Sequence, residues 1–550
     1  MPADRDHADL VLSGGRVHTV DDNRPTAEAV AVRGERIVAV GTAADIAPLI
    51  GPRTRVVDLH GRLLVPGFQD AHIHPISGGI DRIECDVRES RGRDGVLATI
   101  RAYADRHPHD PWIIGSGWYM ADFENGTPRR EDLDAIVPDR PVFLPNRDGH
   151  SAWVNTRTLE LAGIDRNTPD PGDGRIERDP DGTPTGTLHE GATELVERLI
   201  PVPGPDKKLA ALRLAQAYLH SLGITAWQDA WVDASGQATY RKAAEDGWLT
   251  ARVEAAMWWE RERGEEQVED LVERSRTGSV GRLRTNSVKL MQDGVLETYT
   301  GSLLDPYLGR DGRPTANRGI DFIDPEVLKR AVTRIDAAGL QPHFHAIGDG
   351  AVRACLDAVA AARAANGPSD TRPHIAHIQL IHPDDVPRFA ALDVVANAQP
   401  LWACHEGQMD ELTIPFLGPE RSTWQYPFAS LLRAGARLAM GSDWSVSTPN
   451  PLEEIEVAVE RVFPESRGRV EPFLPSEALT LAESIRAFTA GSAYVNHLDT
   501  ETGVIAAGKL ADLAVIDRDL FAPEAGPIGE ARVIATFVGG APVFEDPALG

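Results

Sequence analysis

Cysteine is scarce in this chain: three in 550 residues, Cys85, Cys355 and Cys404. Three scattered thiols neither staple a secreted scaffold nor form a thiolate metal cluster, so a reduced, cytoplasmic setting is expected. Positive charge is also short, with 56 Lys and Arg against 83 Asp and Glu and a formal net charge of -27. A field of that sign repels polyanions, which excludes nucleic acid as an expected partner. No stretch approaches the roughly 20 apolar residues of a membrane span, so no membrane partner is expected. The start, MPADRDHADLVLSGG, lacks both the basic and the apolar part of a secretory signal. Phosphate-loop and dinucleotide motifs are missing as well, because GSGW and GGRV lack the required strand–helix setting.

What remains is an ordinary globular composition, 42% hydrophobic and 25% charged, long enough for one large barrel with a satellite domain. The first sixty residues alternate short apolar runs with tight turns, as in ADLVLSGGRVHTV and AEAVAVRGERIVAVG. The tail repeats this texture in GVIAAGKLADLAVIDRDL and ARVIATFVGGAPVFE. Residues 1–62 and 498–550 are therefore expected to meet in one discontinuous β-sandwich.

The middle, 63–497, alternates strand-like and helical runs, the pattern of a parallel sheet or barrel. Strand candidates fall at 63–74, 224–230, 251–259, 286–293, 341–347, 374–381, 394–400 and 437–444. Eight of them favour a closed α/β (β/α)8 TIM barrel over an open sheet. About 150 residues separate the first two candidates, far more than an ordinary βα connection. The segment 80–215 is expected to form an inserted subdomain near the mouth of the barrel.

Ligand-type residues sit at the ends of those strands. His72 and His74 stand at i and i+2 in QDAHIHP, so both imidazoles face the same way and suit one divalent metal. Lys289 lies inside the apolar strand SVKLMQD, an expensive place for an amine unless it is paired or chemically altered. His345, His377 and Asp443 end three further strands. Catalytic groups of such barrels come from the C-terminal ends of different strands, and these positions obey that rule. His343 and His374 are neighbouring alternatives. Softer candidates for substrate contact are Trp118, His150, Gln228, Tyr299, Tyr307, Gln399 and Trp402, each at or near a strand end or in the loop after Lys289.

Taken together, PGFQDAHIHP, VKLMQDG, HFHAIGDGAV, HIAHIQLIHPDD, GSDW and GVIAAGKLADLAVID resemble the amidohydrolase superfamily. The branch they resemble contains N-substituted formamide deformylase, and RDGHSAWVNT and PTGTLHEGA match it within the insertion. The resemblance implies one or two divalent metals per chain, zinc in the first instance. His72 and His74 would hold one metal, and His345 and His377 would hold or complete a second. Lys289 would be carboxylated and bridge them, and Asp443 would be the last ligand and the proton shuttle. The implied activity is cleavage of an amide, formamide or cyclic amide C–N bond in a small molecule by metal-activated water. A mononuclear deaminase, an esterase or lactonase, and a non-catalytic regulatory protein on the same barrel are the alternatives. Lys289 argues against the deaminase, and the intact ligand set argues against the regulator. Homo-oligomerisation is left open.

Overall fold

The computed structural model describes residues 7–549. The first six residues of the segment read as non-secretory, and Gly550, lie outside the described residues. No helix among the described residues is long and apolar enough to cross a membrane.

Eight parallel strands form the barrel: β1 (Phe68–Ile73), β2 (Ile224–Val232), β3 (Arg252–Trp258), β4 (Leu283–Met291), β5 (Gln341–Ala346), β6 (His374–His377), β7 (Val395–Ala398) and β8 (Leu438–Met440). Each pairs with the next, from β1 through to β8. Nearly every residue of these strands is buried, because helices such as Pro325–Ala337 and Asp349–Asn366 cover the outside while side chains fill the inside. β8 and β1 share no ladder. Their ends are joined instead by Asp443 N donating to His72 O at 2.7 Å and His74 N donating to Trp444 O at 2.7 Å. Gly441 permits this approach: a Cβ there would lie 2.5 Å from His72 N. The result is a nearly closed barrel.

The expected first strand, 63–74, is two strands that break at Gly67. Leu63–Pro66 pairs antiparallel with Leu513–Ile516 and so belongs to the terminal sheet, whereas β1 belongs to the barrel. That terminal sheet joins five strands from the start of the chain to three from its end. It is one hydrogen-bonded sheet pivoting on Leu10–His18, whose first half pairs with Arg55–Asp58 and whose second half pairs with Leu63–Pro66. Leu12, Val30, Val57, Leu64, Val515 and Phe537 pack its core. A buried bidentate ion pair ties it to the barrel, with Arg252 Nε and Nη2 donating to Asp512 at 2.7 and 3.0 Å.

The insertion carries its own six-stranded sheet between Cys85 and Glu190, with Trp118, Phe123, Leu144 and Trp153 in its core. The helix Pro205–Ser221 runs across the expected end of the insertion at 215 and packs against the helix Pro75–Ile83.

Candidate metal centre

Regular alternation along β1 turns His72 to the barrel interior, and His74 follows where the strand ends. Their Nε2 atoms converge on a single carboxylate oxygen: Asp443 Oδ1 lies 3.2 Å from His72 and 2.9 Å from His74. Asp443 owes its direction to a left-handed backbone, φ 55°, just beyond β8. Beneath it Asp70 braces the junction, accepting from His72 N at 3.0 Å and from Ser442 Oγ at 2.6 Å.

His377 reaches the same point by breaking the strand rule. In a regular strand His374 and His377, three apart, would face opposite sides. Left-handed φ values at His377 (76°) and Ile378 (43°) interrupt the alternation. Each such non-glycine residue costs on the order of 1–3 kcal/mol, a strain found where function requires it. His377 Nδ1 thereby comes 4.0 Å from Asp443 Oδ2 and is buried with no hydrogen-bond partner among the described residues. Gln399 fixes its backbone, accepting from His377 N at 2.6 Å. Donor atoms of His72, His377 and Asp443 all lie within 4.8 Å of one another.

His345 completes the ring, 4.4 Å centroid to centroid from His377, with Nε2 3.2 Å from the Gly294 carbonyl oxygen. His343 lies deeper, its Nε2 2.7 Å from His72 Nδ1, and His374 packs against it. Both remain buried behind the cluster, whereas His345, His377 and Asp443 line the cavity. Burial holds His72 and His345 well below the usual imidazole range. Burial does the same for His377. Neutral imidazole is the form that ligates a metal. Lys289 is buried, has no hydrogen-bond partner among the described residues, and is lowered by that burial to about 7. Neutral imidazoles, one carboxylate and an orphaned ring nitrogen fit a divalent metal that accepts nitrogen and oxygen ligands, zinc among them.

His345, His377 and Asp443 floor a cavity at the barrel mouth. His150 and Trp402 border it, and the Trp402 ring lies over His377 at 5.7 Å with a 20° interplanar angle. Five other expected substrate contacts take different places. Trp118 sits in the core of the insertion with Nε1 donating to Leu144 O at 2.7 Å. Gln228 is buried inside the barrel, where its Nε2 donates to Gln341 Oε1 at 2.8 Å and its Oε1 has no partner among the described residues. The Tyr307 hydroxyl is buried and donates to Gly301 O at 2.7 Å. Gln399 positions His377 as described, and Tyr299 borders a separate cavity with Arg175, Glu177 and His189. Conversely, Tyr119, Arg147, Glu297, Glu406, Met409 and Phe463 line the main cavity and were not expected there. Arg147 had a signal in the NRDGHSAW motif that carries His150; the others stand in unrelated segments with no spacing to mark them.

An eight-stranded parallel barrel with neutral histidines and an aspartate at its C-terminal mouth defines a metal-dependent hydrolase. Comparison with known proteins agrees. The model of the amidohydrolase family matches residues 55–544, and the chain belongs to that family. It is 32% identical to Protein LONG AFTER FAR-RED 3 of Arabidopsis thaliana, covering 98% of this chain and 92% of that one. It is 29% identical to the N-substituted formamide deformylase of Arthrobacter pascens, covering 98% of both. Among solved structures, an uncharacterized metal-dependent hydrolase from Pyrococcus furiosus superposes with a TM-score of 0.71 at 25% identity, covering 93% of this chain and 99% of the other.

Proposed function

We propose that the protein hydrolyses the C–N bond of a small N-substituted amide, with formamides as the first class to test. The observation that carries this reading is the convergence of His72 and His74 Nε2 on Asp443 Oδ1 at the floor of the cavity. A bound divalent metal supplies Lewis acidity and a water acidified toward neutrality. His72, His74, His345, His377 and Asp443 would hold it, and zinc suits that set. Lys289, buried and lowered by that burial to about 7, is the amine that would add carbon dioxide and release a proton, and the resulting carbamate would supply an anionic oxygen to the site.

Asp443 accepts the proton of the attacking water and returns it to the departing nitrogen, the role its contacts with both β1 histidines allow. Leu401, Trp402, Met409 and Phe463 give the cavity an apolar side that suits a hydrocarbon substituent on nitrogen. The relative from Arthrobacter pascens, whose name describes N-substituted formamides, supports the same class.

The test is a panel of N-alkyl and N-aryl formamides, acetamides, simple esters and aminopurines presented to the zinc-loaded protein. Formate and amine released one to one, faster than any ester or aminopurine turns over, is the expected result. Turnover of esters or aminopurines alone would replace this reading with the esterase or deaminase alternative.

A further inference from the structure

Beside the ligand cluster, the insertion presents a polar group with complete support behind it. His150 Nδ1 lies 2.9 and 3.1 Å from the two carboxylate oxygens of Glu190. Glu190 Oε1 also accepts from Thr300 Oγ1 at 2.6 Å and from Thr298 Oγ1 at 3.3 Å, both in the loop after β4. The backbone repeats the clamp: His150 N donates to Asp148 Oδ1 at 2.9 Å, and Glu190 N donates to His150 O at 2.9 Å. Gly294 belongs to the same arrangement, since a Cβ there would lie 2.5 Å from Glu190 Oε1. Its carbonyl meanwhile meets His345 Nε2, so one loop connects the dyad to the ligand cluster.

With one ring nitrogen held this firmly, the other is what the arrangement aims. His150 Nε2 has no hydrogen-bond partner among the described residues, His150 lines the cavity, and its ring centroid lies 5.6 Å from that of His345. A purely structural ion pair would have no reason to leave its open end toward the cavity beside the ligands. We propose that His150 Nε2–H donates a hydrogen bond to the carbonyl oxygen of the bound amide and holds that oxygen as negative charge develops on it. Glu190 is the positioning residue that fixes the ring. This rests on the hydrolytic reading above and makes the insertion a contributor to the chemistry. Donors placed where charge develops accelerate acyl transfer because they need no reorganisation during the reaction.

The test uses the zinc-loaded full chain and two readouts: binding of methylphosphonate, a tetrahedral anion, by calorimetry, and kcat and KM on an N-alkylformamide. His150→Phe keeps the ring volume and removes the donor. It is expected to weaken methylphosphonate binding about 10²-fold and to lower kcat about 10²–10³-fold, with KM and zinc content nearly unchanged. His150→Gln, which restores an N–H toward the cavity, is expected to recover about tenfold of that loss. Glu190→Gln is expected to lower kcat with KM held. Should the phenylalanine variant not fold, His150→Asn decides by the same binding ratio, because it keeps a donor for Glu190 and lacks the far nitrogen. Equal methylphosphonate binding by wild type and variant overturns the His150 proposal and leaves the hydrolase standing. A zinc-loaded wild type that neither binds methylphosphonate nor cleaves any formamide overturns both.

Discussion

On the floor of the cavity every candidate ligand stands at the end of a barrel strand, whereas on its wall the lining residues come from the insertion and from loops far apart in the chain. His72, His74, His345, His377 and Asp443 hang from a framework that is buried on both sides and hydrogen-bonded strand to strand. Tyr119, Arg147, Glu297, Glu406 and Trp402 hang from segments whose positions depend on tertiary packing. A barrel of this kind fixes its metal ligands at its strand ends and leaves the rest of the cavity lining to its loops and insertion.

Breaking the floor is expected to have the largest effect. Asp443→Asn keeps the shape and removes the proton acceptor, and kcat should fall by about 10³-fold with zinc content retained, measured by turnover beside metal analysis. Gln399→Ala acts one layer back, freeing the His377 amide it now accepts from at 2.6 Å. Zinc affinity is expected to weaken by about 10–100-fold, read by competition with a chromogenic chelator.

The wall sharpens the contrast. Trp402→Leu removes the ring over His377 while leaving every ligand in place, and is expected to raise KM for aryl-substituted amides by about tenfold, the effect of losing roughly 1.4 kcal/mol of apolar contact. A comparable loss in kcat would move Trp402 from the wall to the floor.

Away from the site the comparison turns to stability. Asp512→Ala strands Arg252, now a buried bidentate partner with side-chain exposure of 10%. Denaturant unfolding should show a loss of about 3–5 kcal/mol, with the activity of the folded fraction unchanged. The smallest effect is expected at the exposed i,i+4 pair of Arg241 and Glu245: Glu245→Ala should cost about 0.3–0.5 kcal/mol and nothing in activity.

The same division decides what was legible in the sequence. All eight barrel strands overlap ranges that apolar patterning marks, because a strand covered on both faces must be apolar and its polar exceptions then stand out. Lys289 in SVKLMQD and His345 in QPHFHAIGD are such exceptions. His377 was placed by its strand end, but its inward turn was not legible, since it depends on two left-handed residues that break the alternation. The split of 63–74 between two sheets was hidden because LLVPGFQDAHIH is apolar throughout its first half, and both sheets accept such a run.

Gln228 and Gln399 show the limit most clearly. Each is a buried amide near a conspicuous strand end, yet the first bonds Gln341 within the barrel and the second supports a ligand from behind. Residue type and spacing do not distinguish a polar group that meets substrate from one that satisfies a buried neighbour. The wall residues Glu297 and Glu406 had no periodic element to mark them, so only the folded chain brings them to the cavity.

The central claim is that these strand ends hold a catalytic divalent metal. The most direct measurement is metal content per chain by mass spectrometry, after chelation and reloading with zinc, for wild type and for the double variant His72→Asn with His74→Asn, together with carbon-13 NMR of the folded protein equilibrated with labelled bicarbonate. At least one tightly held zinc is expected in the wild type, with its loss in the folded double variant and a carbamate carbon signal from Lys289 where two ions bind. A folded wild type that retains no zinc, or a double variant that retains as much, would contradict it.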